Sequence, residues 1–594
     1  MGPHHLFGGI VHVSVLLAFL NLVVPISGAD FNQCKSHVLA LLDGTATNTS
    51  SFDIVYHGQL RGINPSRRNN SLALTSRGCV EACGTSPDLW DAFTIFQILT
   101  TWVLPSVSLL AQLPWESLSV HKRKNFEAFL NWVGSPAASL TTTIFNIHMI
   151  AKCKDISKSK PELTDTLYIL SCINQYEYPG RRQSRPARLE GLDVGRRNAA
   201  LLQGIYRKFM LEAEARTRVL ERDEIDLLVR LDGLTATLAF HLRILRRRAV
   251  WPLAFNIIWF GVALVISIVT AFADLGDNST AHSLALGLLL SWIPSLVVMA
   301  IVDRNPASST RCQELIERWL YNIDKVVERQ LREQNVRTAP QPPTTPSSLQ
   351  PWNPMADMWN PAANKRPFGI GVFVGQGRYL RYCGVANTVL KRYSDSNGMP
   401  QNIQLNGSIE NSLTTRPGSW WIIWGFGQAI VATSFGMAFM VSFNTPTIGL
   451  GCRSLLYMIW YLLTWVSWMT LGIKQEPPRW LQKVMILPNL AATILLALIM
   501  IFQVLGLLNN CLCKSSTFGL GGYGGYMDFE GALFYRSAYG IQKYWGTATA
   551  IGIAVSFATI GWAMRRWSKS SPLWRITESD IPQMGANMTL DWLR

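Results

Sequence analysis

Residues Leu242–Phe272 read LRILRRRAVWPLAFNIIWFGVALVISIVTAF. Arg243, Arg246, Arg247 and Arg248 crowd the start, and no charged residue occurs from Ala249 to Phe272. Ionised side chains are costly in hydrocarbon, so this boundary marks a place where the chain enters a bilayer. The apolar part is long enough, because about 20 residues at ~1.5 Å each cross a hydrocarbon core of roughly 30 Å. Trp251 sits at the junction, where indole rings settle at headgroup level. Asn256 is the one strongly polar side chain inside the run.

The same pattern recurs on both sides of this stretch. Spans are expected at 90–113, 251–273, 281–302, 420–443, 454–473, 484–508 and 546–564, most of them flanked by tryptophan. Charged residues are 15% of the 594, against roughly 25% in soluble proteins, and mean hydropathy is +0.16. The fold class that follows is an all-α membrane protein with about seven transmembrane helices. Residues 1–29 read as an N-terminal signal peptide, with an apolar stretch from Leu6 to Val24 and small residues at Ser27 and Ala29. An uncleaved signal anchor is the alternative, and both place residues 30–89 outside.

With residue 30 outside, segments 114–250, 303–419, 474–483 and 565–594 become cytosolic, and they hold most of the 54 Lys and Arg residues. The positions near span ends decide the orientation: Arg243, Arg246, Arg247, Arg248, Arg304, Lys474, Arg565 and Arg566 all fall on that side. The expected layout has the N-terminus outside and a basic C-terminal tail in the cytosol, in the plasma membrane or the secretory pathway. The net charge of +16 is then chiefly a topology signal. Arg246, Arg247, Arg248, Arg565 and Arg566 are expected to anchor the chain on anionic inner-leaflet lipids, and nucleic acid is not an expected partner.

Cysteine placement agrees. Cys34, Cys79, Cys83, Cys452, Cys511 and Cys513 fall outside, an even number suited to disulfides, while Cys153, Cys172, Cys312 and Cys383 fall inside. The favoured pairings are Cys452 with Cys511 or Cys513, and Cys34 with Cys79 or Cys83. No Cys/His spacing suits a metal, and no cofactor is expected. Asn48 and Asn69 head glycosylation sequons in the exterior region.

Two amphipathic helices are expected inside. One covers about 198–248, with Leu220, Leu227, Leu231, Leu234, Leu238 and Leu245 in a stripe; the other covers 311–334, with Leu315 and Trp319. Packing of these stripes beneath the membrane is the favoured reading, and a coiled coil making a homo-oligomer is the alternative. Residues 338–364 are a Pro-rich linker whose P-x-x-P repeats offer an SH3-type docking site. The following GIGVFVGQGRYLRYCGVAN satisfies no phosphate-loop pattern and reads as a small folded piece. Residues 509–545 form a Gly- and aromatic-rich exterior loop.

No HExxH, GxSxG or P-loop occurs, so the expectation is a non-enzymatic protein. The polar residues inside spans are Gln97, Asn256, Gln428, Asn489 and Gln503, each read as an inter-helix hydrogen-bonding group. Pro105, Pro294 and Pro488 are expected to kink their spans. Seven spans with an outside N-terminus, and Asp303-Arg304 ending the third, resemble the G-protein-coupled receptor layout. The long first cytosolic segment and the missing Asn-Pro-x-x-Tyr depart from it. A receptor would need a deep apolar pocket on the outer side. A transporter or channel would need a polar path through Gln428, Asn489 and Gln503.

FLNWVGSPAASLTTTIFNI, GLTATLAFHLRILRRRAVWPLAFNIIWF and SWIPSLVVMAIVDRNP resemble a group of large, uncharacterised multi-pass membrane proteins of filamentous fungi, over residues 90–310. That resemblance implies a lineage and a membrane address and carries no activity. The leading expectation is sensing, scaffolding or membrane organisation.

Overall fold

The computed structural model describes residues 30–44, 55–57, 72–115, 122–176, 222–246, 250–273, 278–303, 309–319, 322, 373–395, 416–445, 449–473, 484–515, 525–528 and 541–576. The signal peptide, the Asn48 and Asn69 sequons, residues 198–221, the Pro-rich linker 338–364, Arg247, Arg248 and the tail beyond 576 lie outside them.

Among the described residues the order is α1 (Phe31–Gly44), β1 (Ala73–Thr75), α2 (Ser76–Cys83), α3 (Ala92–Ala111), α4 (Lys122–Gly134), α5 (Pro136–Ser159), α6 (Thr164–Ile173), α7 (Arg222–Ile244), α8 (Val250–Ala273) and α9 (Thr280–Val302). Then come α10 (Val385–Asp395), α11 (Gly418–Phe443), α12 (Cys452–Ile473), α13 (Ile486–Leu505), α14 (Cys511–Lys514), β2 (Tyr526–Asp528) and α15 (Ile541–Ser570). Seven of these, α3, α8, α9, α11, α12, α13 and α15, are long and apolar enough to cross a bilayer. The chain is a multi-pass helical membrane protein. α15 runs past the expected end of its span at 564, so Arg565 and Arg566 stand on helix and not in a free tail.

The prolines act through their neighbours. A π-helical turn at Leu99–Val103 precedes Pro105, which relieves the clash of a proline ring with the preceding turn. α9 breaks at Ser291 ahead of Pro294. The freed groups find partners on other helices, as membrane helices require: Ser291 donates through Oγ to Ser434 at 2.9 Å, and its carbonyl accepts from Ser556 at 3.2 Å. Pro488 stands in the first turn of α13, where a missing N–H costs nothing.

α9 is the centre of the bundle and is almost wholly buried, while α8 turns Phe255, Ile258, Val262 and Val269 outward as its lipid-facing stripe. Tryptophans fill the interior: Trp102, Trp292, Trp420, Trp460 and Trp545 are fully buried. α11 and α12 are clasped by Trp424 and Trp468, whose rings stack 3.8 Å apart. Each indole N–H of that pair donates to the other residue's carbonyl at 3.0 Å.

The segment expected to be one cytosolic loop, 114–250, differs most from expectation. Its α4 and α5 form a helical hairpin wedged between the spans, α4 against α13 and α5 against α11, α9 and α12. Eighteen of the α5 residues from Pro136 to Ser157 are buried. The hairpin enters from the face where α11 and α13 begin and α9, α12 and α15 end, called the basic face below. At its tip Gly134 reaches Asn489, and Ala137 and Thr141 in the first turns of α5 meet Gly427, beyond the second turn of α11. Irregular backbone at such depth is tolerated where protein surrounds it. A side chain at Gly134 would overlap the Asn489 backbone, and one at Gly427 would overlap Thr141 and the Ala137 carbonyl.

On the opposite face the segments around α1, β1, α2, α14 and β2 fold into a cap. β1 pairs antiparallel with β2, Leu74 opposite Met527, which adds a small sheet to an otherwise helical chain. Three disulfides close the cap: Cys34–Cys83, Cys79–Cys511 and Cys452–Cys513. The first and third match the favoured pairings, and the second follows as the remaining pair. Cys79–Cys511 closes the largest loop, with a sequence separation of 432. Replacing Cys79 and Cys511 by serine is expected to cost about 2–5 kcal/mol of cap stability. Cysteine-pair mapping under non-reducing conditions and proteolysis of residues 30–83 check this, and an unchanged digestion pattern would contradict it.

Candidate functional site

A buried polar cluster lies where the hairpin meets the end of α9. Asp303 is the C-cap of α9 and is fully buried. Its carboxylate accepts from the Gln376 backbone N–H at 2.7 Å, from Asn146 Nδ2 at 3.3 Å and from Gln175 Nε2 at 3.0 Å. Gln175 also donates to the Asp303 carbonyl. Asn174 extends the network, donating to Asn146 at 3.1 Å and accepting from the Ala386 N–H at 3.0 Å. The carboxylate thus joins the end of α9 to α5, to the residues just past α6 and to Gln376, and through Asn174 the network reaches the start of α10. Burial pushes the Asp303 carboxyl well above the usual range, opposed by the three donors.

The turn 373–378 completes the cluster. Gln376 and Gly377 both take positive φ, 64° and 68°, a conformation rarely adopted by a non-glycine residue. It is held from all sides: the Gln376 carbonyl accepts from the Trp132 indole at 2.9 Å, and the Gly377 carbonyl accepts from Ser139 Oγ at 3.0 Å. The Arg378 carbonyl accepts from Asn131 Nδ2 at 2.7 Å, and Arg378 donates to the Pro114 carbonyl. The Gly-rich piece that matched no phosphate loop is therefore a clamp around the hairpin tip. Asp303, read from the sequence as one half of an Asp-Arg pair ending the third span, is the clamp's buried anchor. The signal was present in the charge pattern, since no Asp, Glu, Lys or Arg occurs from Ala128 to Ala151.

The polar residues read from the spans stand apart from this cluster, with one exception. Asn256 accepts from Ser108 at 3.0 Å, Gln428 donates to Tyr461 at 2.9 Å, and Gln503 donates to Tyr457 at 2.6 Å. Each is an inter-helix bond, as expected. Asn489 accepts from Ser467 at 2.6 Å and donates to Asn131 at 2.9 Å, so it tethers the hairpin to α12 and α13. Gln97 is exposed. Gln428, Asn489 and Gln503 are three separate pairs and do not line one path.

The basic residues divide. Arg243 is buried, bonded to Asp165 at 2.6 Å and to the Leu573 carbonyl at 3.2 Å. Arg246 lies 3.6 Å over the Trp574 ring. Arg565 is exposed, and Arg566 lies over Trp562 at 5.7 Å. The leucine stripe of α7 is filled from within the same chain: Leu231, Leu234 and Leu238 are buried, and α7 packs on α6. In helical residues 309–319, Leu315 and Trp319 are buried in that same core.

Four cysteines, Cys153, Cys172, Cys312 and Cys383, take no part in the three disulfides and are buried, all near the basic face. Burial pushes Cys153 and Cys312 up to about 12, far from a reactive thiolate. The sulfurs of Cys79, Cys83 and Cys511 lie together on the other face, each already committed to a disulfide.

Two histidines of the basic face carry a pH response. Burial, then Arg311, lowers His241; burial, then Lys152 and Arg566, lowers His148. A depressed histidine adds stability above its unfolded value of 6.5 that is lost as pH falls through the folded value. Hydrogen exchange of α7 around His241 is expected to quicken below about pH 6.5 in the wild type and to respond less in His241→Gln. Equal acid response in both would contradict the assignment.

In the comparisons with known proteins, no family model, no curated protein and no solved structure matches the chain.

Proposed function

We propose that the protein is a non-enzymatic membrane platform: a closed seven-span bundle that holds a helical assembly on its basic face for sensing, scaffolding or membrane organisation. The observation that supports this reading is the filled interior, with tryptophans between the spans and the clamped hairpin plugging the basic face. A transporter needs a polar path that opens to each side in turn, whereas Gln428, Asn489 and Gln503 each face an aromatic hydroxyl or a serine. A receptor needs a deep outer pocket; among the described residues a cavity under the disulfide cap, beside His282 and Arg453, has about 20 Å³, room for roughly one water.

The orientation belongs to the same proposal: basic face in the cytosol, cap and N-terminus outside. Three disulfides on one face and four buried cysteines outside any disulfide near the other match an oxidising exterior and a reducing interior. Digestion of residues 311–334 by protease added outside sealed cells would reverse this orientation.

The test of closure is a cysteine at the plug. Thr141→Cys places a thiol where α5 meets Gly427. In native membranes it is expected to resist a charged, water-borne thiol reagent applied to either face. Rapid labelling would mean that the bundle opens, and would favour the transporter reading.

A further inference from the structure

Near the basic face α8 and α15 part company. α8 leans on α3 and α9, while α15 leans on α9 and α11. The gap between them, backed by the end of α9, is a cavity of about 720 Å³, within the roughly 300–1,000 Å³ range of small-molecule sites. Its walls are apolar, formed by Leu253, Ile257 and Ile258 of α8, Ile301 of α9, and Ile560 and Met564 of α15. Ile258 is 65% exposed and continuous with the outward stripe of α8, so the cavity opens sideways onto the surface that faces lipid tails.

The end of the cavity toward the basic face is of different chemistry. Arg243, Arg246, Arg575, Trp567 and Trp574 border it. Arg243 is already neutralised by Asp165. Arg246 is half-buried with its guanidinium on the Trp574 ring, and among the described residues no carboxylate pairs with it. Burial lowers its pKa, the mark of a cation short of solvent. A partly desolvated cation with no counter-charge among the described residues gains most from an anion delivered to it. The tryptophans place this rim at headgroup depth, with the apolar walls extending from it toward the membrane interior.

We propose that this cavity binds one anionic phospholipid, its phosphate-bearing headgroup held by Arg246 and Arg575 and one acyl chain laid against Ile257, Ile301, Ile560 and Met564. The proposal deepens the membrane-platform reading by giving the basic face a discrete lipid partner. It differs from diffuse attraction to a charged leaflet, which exposed residues such as Arg565 supply equally well. The site asks for net negative charge and a chain together. A zwitterionic lipid offers the chain and a compensated headgroup, and free phosphate offers the charge alone.

The experiment is native mass spectrometry of the full-length protein in detergent, titrated separately with dioleoylphosphatidylserine, dioleoylphosphatidylcholine and inorganic phosphate. One saturable phosphatidylserine per chain is expected, held about tenfold more tightly than phosphatidylcholine, with no phosphate retained. Arg246→Gln is expected to remove that preference, while Ile257→Trp fills the cavity and removes saturable binding of either lipid. Arg565→Gln changes neither. Equal retention of both lipids by the wild type, or phosphatidylserine binding that survives both Arg246→Gln and Ile257→Trp, overturns the site. Phosphate binding as tight as phosphatidylserine binding overturns the lipid assignment. The two disabling variants alter different walls, and the unchanged cap disulfides report folding of each. The measurement needs neither a sealed bilayer nor a known orientation, so its failure is separate from labelling of Thr141→Cys or reversal of the topology.

Discussion

Gly134→Ala, the smallest possible change at the hairpin tip, is expected to destabilise the protein by about 3 kcal/mol. The added methyl would overlap the backbone of Asn489, and backbone cannot rotate aside as a side chain can. Asn489 is also the residue that joins Asn131 of α4 to Ser467 of α12. Pushing α13 away therefore breaks polar contacts at a depth where water does not replace them. Gly233→Ala is the control. Gly233 lies on an exposed position of α7 with nothing within 4 Å of a new methyl, and there the change is expected to stabilise by a few tenths to about 1 kcal/mol. Thermal unfolding of both variants in one detergent decides the matter. Equal melting temperatures would remove the hairpin from the bundle core.

Asp303→Ala is expected to cost about 3–5 kcal/mol, because it strands buried donors on three separate segments. Gln376 N–H and Asn146 lose their acceptor, Gln175 keeps only the Asp303 backbone carbonyl, and the positive-φ turn at Gln376 and Gly377 loses its main tie to α9. Asp303→Asn keeps one acceptor oxygen but turns an N–H₂ toward another donor, and a smaller loss of roughly 1–3 kcal/mol follows. The local signature matters more than the total. Hydrogen exchange should rise first at residues 373–378 and at the start of α10, where the Ala386 N–H depends on the Asn174 arm of the network. A uniform rise across all spans would point to general destabilisation and not to release of a clamp.

The seven spans were legible because each must satisfy lipid on part of its surface, and lipid accepts only apolar side chains. α8 shows this plainly, since Phe255, Ile258 and Val262 face outward and make the run unmistakable. The hairpin escaped because, from its tip through the first three turns of α5, it faces protein on all sides. Its Thr141, Thr142 and Thr143 hydroxyls donate to carbonyls three or four residues earlier, so they are neutral to their neighbours while lowering the segment's hydropathy. Two helices as short as α4 and half-polar α5 match neither a span nor an amphipathic surface helix. Asp303 was misread for a related reason. A carboxylate beside an arginine at a helix end looks like surface, and its three donors come from parts of the chain that local sequence does not connect. The leucine stripe of α7 was seen correctly as a buried face, but its described partner, α6, is a short helix with no stripe of its own to announce it.

The depth of the hairpin also sets a schedule for biogenesis. Gly134 is synthesised long before Asn489, and at ~5–20 residues per second the interval is roughly 20–70 seconds. Until residue 418 is made, about four-fifths of that interval, α4 and α5 exist without any of α11, α12 and α13, the helices that later enclose them, and α13 is the last of the three to arrive. Cys79 waits longer still, because Cys511 follows the sixth span. Both ends of the bundle are therefore finished late: the plug cannot seat, and the cap cannot lock, until nearly the whole chain has been inserted. An interrupted chain leaves an unpaired Cys79 on one side and an unseated apolar hairpin on the other, two marks by which the cell's quality control could tell an incomplete molecule from a complete one.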